Sequence, residues 1–107
     1  NEILADTNKE CGTKIAASIN WKSVTNDHMK EYSIYSYCGY PLESIESLCR
    51  DDKKIAAKVK KEIKRLSCNF GEKMKLDLKQ AGINWITNPE EGNQADFTKA
   101  FFKNQIQ

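Results

Sequence analysis

The chain has 107 residues, 39% of them hydrophobic and 30% charged, with 17 basic against 15 acidic side chains and a net charge of +2. Such a length accommodates one hydrophobic core, so residues 1–107 are expected to form a single domain, and the composition is that of a folded chain rather than a disordered one. The near-neutral balance implies no polyanionic partner, and the longest uncharged stretch, residues 32–42, is short and interrupted by Gly39 and Pro41, which excludes a transmembrane helix.

The chain opens at Asn1 without a basic-then-apolar leader, as a mature chain does once an export signal peptide has been removed, or as a trimmed one does. Over residues 15–21, Ile15, Ala17, Ile19 and Trp21 alternate with Ala16, Ser18 and Asn20, which predicts a half-buried strand with Trp21 in the core. Residues 22–33 are polar, with Thr25, Asn26 and Asp27 as turn formers, and read as a loop or a short helix. Leu42, Ile45, Leu48 and Cys49 then recur at helical spacing over residues 38–50, with Pro41 placed in the first turn. Asp51 and Asp52 cap a further helix through residue 65, whose stripe is Ile55, Ala56, Val59, Ile63 and Leu66.

Three short runs follow, residues 66–70, 73–78 and 83–87, separated by Gly71-Glu72 and Ala81-Gly82. Met74, Leu76 and Leu78 alternate with Lys73, Lys75 and Asp77, and Ile83 and Trp85 flank Asn84, which predicts a meander with one wet face. After a turn-rich loop over residues 88–94, Ala95, Phe97, Ala100 and Phe101 mark a closing helix. The expected fold is therefore α+β: an antiparallel sheet, built from the N-terminal strand and the C-terminal three-strand meander, covered by helices on one face.

Four cysteines in so short a chain point to an oxidising compartment or to a metal. Cys11, Cys38, Cys49 and Cys68 are separated by 27, 11 and 19 positions, unlike the close pairs of structural zinc sites, so two disulfides and no metal are expected. A helix of fifteen residues rises about 22 Å, which disfavours Cys49–Cys68, and Cys38 and Cys49 bracketing one helix would stand about 16 Å apart. The favoured pairing is Cys11–Cys49 with Cys38–Cys68.

Chemistry-bearing residues are sparse. Residues 51–66 carry seven basic against three acidic side chains, but no aromatic residue is interleaved for base stacking, so the lysine face reads as solvated and no nucleic-acid partner is expected. His28 follows Asp27 and is the one imidazole; no Gly-x-Ser-x-Gly pattern accompanies it, and a surface histidine is the plainer account. Glu43, Glu46, Glu90 and Glu91 could pair as catalytic carboxylates, and Asn88, Glu90, Glu91, Asn93 and Asp96 offer oxygen ligands without the EF-hand spacing. No catalytic residue, metal or cofactor is assigned. Tyr32, Tyr35, Tyr37 and Tyr40 crowd nine residues beside Cys38, and tyrosine gives large contact area at low entropy cost, so these four are the expected binding residues for a protein partner.

The combination Cys11-Gly12, Ile19-Asn20-Trp21, Tyr37-Cys38-Gly39, Leu48-Cys49, Cys68-Asn69-Phe70-Gly71 and residues 93–97 resembles a family of small exported bacterial proteins with paired cysteines. That resemblance implies a periplasmic or secreted location and carries over no activity. The expected function is a non-enzymatic exported domain that binds a protein partner, of inhibitor or immunity type. The alternatives are a small envelope hydrolase using His28 and a small-ligand carrier, which would need an apolar cavity between helices and sheet.

Overall fold

The computed structural model describes residues 2–106. Its elements run α1 (Glu2–Cys11), β1 (Ala16–Ile19), a 3-10 turn (Trp21–Ser23), α2 (Asn26–Glu31), α3 (Ile34–Asp51), α4 (Lys53–Glu62), β2 (Arg65–Phe70), β3 (Lys75–Lys79), β4 (Gly82–Thr87) and α5 (Gln94–Ile106). The chain is a mixed α+β fold, and Cys11 bonds to Cys49 and Cys38 to Cys68, with Cα–Cα distances of 5.3 and 5.6 Å.

The sheet is mixed, not antiparallel. Its order is β1-β2-β4-β3, with β1 parallel to β2, β2 parallel to β4, and only β3 antiparallel to its neighbour. Parallel pairing of β1 with β2 follows from the long helical crossover between them, which brings the chain back to the end of the sheet where β1 began. The meander fails because β4 inserts between β2 and β3. Residues 71–74 need only bridge two strand spacings, about 10 Å, to allow it. Gly71 N–H then donates to Thr87 O at 3.0 Å, continuing the β2–β4 ladder. Alternation with Lys75, Asp77 and Lys79 suits β3 to an edge, where charge discourages further pairing.

One face of the sheet is buried, through Leu66, Cys68, Phe70, Leu76, Ile83 and Trp85, whereas Ser67, Asn69, Asn84 and Asp77 on the other are half-buried or exposed. Against the buried face lies α3, tied to β2 by Cys38–Cys68. It starts four residues before the expected helix, with the Ser33 hydroxyl accepting Ser36 N–H, so Pro41 stands in its interior and not in its first turn. Conversely, α4 ends at Glu62, short of the expected residue 65, because Leu66, Cys68 and Phe70 continue the apolar pattern at period two and enter β2.

The sequence reading left α1 undrawn. Few apolar side chains mark it, but it packs closely on α3: a Cβ at Gly39 would lie 2.8 Å from Ile3 Cδ1, so glycine permits the crossing. Buried Thr7 lies with its hydroxyl 2.8 Å from Ile3 O and 3.1 Å from Leu42 O. The β3–β4 hairpin turns through Gln80 and Ala81, both at positive φ (51° and 64°), where Asn-Gly is the usual choice. Its geometry is held from outside: Ala81 O accepts N–H groups of Lys64 and Arg65, and the Arg65 guanidinium donates to Gln80 O.

Candidate functional site

The tyrosine segment divides into two surfaces. On α3, Tyr37 and Tyr40 stand three residues apart and share a face, whereas Tyr35 turns away. Tyr32, Tyr37 and Tyr40 are half-buried and meet edge to face, with successive ring centroids 5.5 Å apart. Burial raises the Tyr40 phenol above its ordinary range, with Tyr37 and Glu43 adding to the effect. Tyr32 is raised by desolvation first, then by Glu31, Glu90 and Tyr37. These three rings pack against the molecule's own surface.

Tyr35 does not join them. It is 52% exposed and meets Trp21 edge-on, with centroids 6.2 Å apart. The expectation of a core Trp21 is overturned: its ring is 51% exposed. The strand stops at Ile19, and the chain enters a tight turn in which Ser23 N–H donates to Asn20 O and Val24 N–H to Trp21 O. The Ser23 hydroxyl fixes that turn to the sheet by donating to Asn20 O at 2.6 Å and accepting Phe70 N–H at 2.9 Å. Alternation therefore does not reach Trp21, which the turn carries outward. Trp85, the other expected core tryptophan, is fully buried in β4.

Two side chains of this size, half exposed and in contact at one end of β1, make an apolar patch with a polar tip. Tyr35 also lines a shallow groove with Ala17, Ser18 and Ile19. The reading of the sequence missed Trp21 as a surface residue. The available signal was the run Ala16-Ala17-Ser18, whose small side chains make a poor core strand.

His28 belongs to the local structure of α2. Its Nδ1 accepts Thr25 N–H at 3.1 Å while the Thr25 hydroxyl accepts His28 N–H at 3.0 Å, closing a reciprocal cap. Its ring lies 5.0 Å from that of Phe70. The open cleft beside it, about 450 Å³, also has Ser23, Glu72 and Glu90 on its walls. Ser23 already holds its turn, and no hydrogen bond joins the imidazole to a serine or a carboxylate among the described residues.

The remaining oxygen ligands are likewise occupied locally. Asn88 Oδ1 accepts Glu90 N–H and its amide donates to Glu72 O, while the Gln94 amide donates to Asn88 O and Glu91 O. Asn93, at φ 62°, leads into α5 with its carbonyl accepting Phe97 N–H, and Asp96 sits in the first turn of that helix. Glu46 pairs with Arg50 and shares an open cleft with Glu43 and Asp6. Among the described residues, no three His, Cys, Asp or Glu side chains are grouped to hold a metal ion. The shallow groove that Tyr35 lines reaches Leu42 and Leu66 and measures about 20 Å³. A larger cleft of about 530 Å³ lies between α3, α4 and α5 and is open and rimmed by Asp51, Asp52, Lys99 and Lys103.

No helix among the described residues is long and apolar enough to cross a membrane. Compared with protein-family models, curated proteins and solved structures, the chain matches none.

Proposed function

We propose that the chain is a non-enzymatic binding domain of the periplasm or the extracellular space, which recognises a protein partner through the surface around Trp21 and Tyr35. The observation that carries this reading is the exposed aromatic pair itself. Trp and Tyr are the side chains that most often anchor protein interfaces, and leaving both half in water costs apolar burial that a partner would recover. Two disulfides support the compartment, because such bonds persist where the environment is oxidising. Cys38–Cys68 also fixes α3, and with it Tyr35, against β2. Engagement of His28 in the α2 cap favours this reading over the hydrolase, and the small size of the groove between β1 and α3 favours it over the ligand carrier. Among the four tyrosines, Tyr35 is the contact residue, and Tyr32, Tyr37 and Tyr40 support the fold behind it.

A photo-crosslinking residue placed at Tyr35, in protein exposed to the secreted or envelope fraction of its source, tests this. One discrete adduct is expected, reduced about tenfold or more by Trp21→Ala, as for loss of an aromatic hot spot. A pattern no different from that of a probe at Asn84, on the open face of the sheet, would remove the reading.

A further inference from the structure

The outer edge of β1 has its own hydrogen-bonding code. Ala16 N–H donates to Lys64 O at 3.1 Å and Asn20 N–H to Cys68 O at 2.9 Å, so in the ladder with β2 the even-numbered residues turn their backbone groups inward. The odd-numbered residues face outward. Ile15 is closed within the chain: the Asn8 side-chain amide accepts Ile15 N–H at 2.9 Å and donates to Ile15 O at 3.2 Å, as a neighbouring strand would. Ala17 and Ile19 are left, each with an outward N–H and C=O that meet no protein partner among the described residues. The opposite edge of the sheet is guarded by the charges of β3, whereas residues 16–19 contain no charge and no proline.

We propose that this edge pairs with the same edge of a second copy of the chain, the two β1 strands running antiparallel about a two-fold axis at Ser18. The proposal rests on the reading of the Trp21–Tyr35 surface as a protein contact and names the partner. Only this register uses every open group: Ala17 faces Ile19 of the second copy, Ile19 faces its Ala17, and four ladder hydrogen bonds form. Centring on Ala17 would set Ile19 against an Ile15 that Asn8 has already closed. Centring on Ile19 would set Ala17 against Trp21, where the chain has left the strand.

A stable interface buries at least about 1,000 Å² in total, more than a four-residue ladder supplies. The exposed aromatic pair adds to it. Tyr35 borders the same groove as Ala17, Ser18 and Ile19, and Trp21 stands just past the end of the ladder. Two Trp and two Tyr rings, each about half exposed, add roughly 400 Å² of apolar area. Lys14 and Lys22 flank β1 in each copy, and their positive charge holds the association toward the weak end of the stable range.

Sedimentation equilibrium of the full chain, from about 1 µM to about 1 mM, reads this out directly. Wild-type protein is expected to pass from monomer to dimer. Ser18→Glu, an exposed position, sets two carboxylates opposite each other and should weaken the dimer about tenfold or more, while Asn84→Glu on the open sheet face leaves it unchanged. Ser18→Cys should give a disulfide-linked dimer under oxidising conditions, and Ser67→Cys should not. A chain monomeric throughout, or equal effects of Ser18→Glu and Asn84→Glu, overturns the proposal. If that monomer still gives a Trp21-dependent adduct from Tyr35 with a different polypeptide, the second copy is rejected and protein binding stands. Loss of both results rejects both.

Discussion

Pro41 and Trp85, 44 positions apart in the chain, solve one problem between them. A proline inside a helix has no N–H to give the carbonyl four residues earlier, which here belongs to Tyr37. The Trp85 indole N–H donates to that carbonyl at 2.8 Å from the centre of the sheet. A proline that sequence reasoning places in a first turn is thus tolerated in mid-helix, and the residue that tolerates it is far away. Replacing Trp85 by Phe keeps most of the apolar contact and orphans the carbonyl, so chemical denaturation should show a loss of about 1–3 kcal/mol. In a Pro41→Ala background the restored N–H can serve Tyr37, and the cost of Trp85→Phe should shrink. Equal costs in the two backgrounds would separate the bond from the helix break.

The helices and strands were readable from the sequence where their periodicity ran unbroken, as in Ile55 to Val59 of α4, or in Leu76 to Leu78 and Ile83 to Trp85. It was less so where polar or small side chains do the packing. Helix α1 hides behind Thr7 and the gap at Gly39, and the boundary between α4 and β2 falls inside one continuous apolar pattern. The cysteine pairing is insensitive to those boundaries, because it needs only that Cys38 and Cys49 share one helix and that another separates Cys49 from Cys68. Closing loops of 38 and 30 residues, each bond contributes about 3–4 kcal/mol in the chain-entropy view. Paired Cys11→Ala and Cys49→Ala substitutions should lower unfolding free energy by about that amount while leaving the Cys38–Cys68 link detectable by peptide mapping. A loss below about 1 kcal/mol would mean that α1 is held on α3 by packing alone.

The order of strands lay beyond local pattern. Nothing in residues 65–87 distinguishes a meander from an arrangement in which β4 slips between β2 and β3, except the charges on β3 that mark an edge. Of the candidate site, the sequence brought out residues 32–40 through their tyrosines. It could not divide that segment into a supporting ladder and one exposed ring, because the division depends on which side of α3 meets the rest of the molecule. Trp21 was misplaced for a similar reason: alternation continued on paper past the point where the Ser23 turn ends the strand. The resulting surface joins an aromatic pair to the one uncharged sheet edge among the described residues.

Amide hydrogen exchange resolved by residue tests that surface most directly. Ser18, bonded into the sheet, should be protected at every concentration. The outward amides of Ala17 and Ile19 should exchange freely in dilute protein and slow about tenfold or more as the concentration is raised toward about 1 mM. Unchanged exchange at both residues, at a concentration where the chain is otherwise seen to associate, would contradict strand pairing at β1 and place the contact elsewhere.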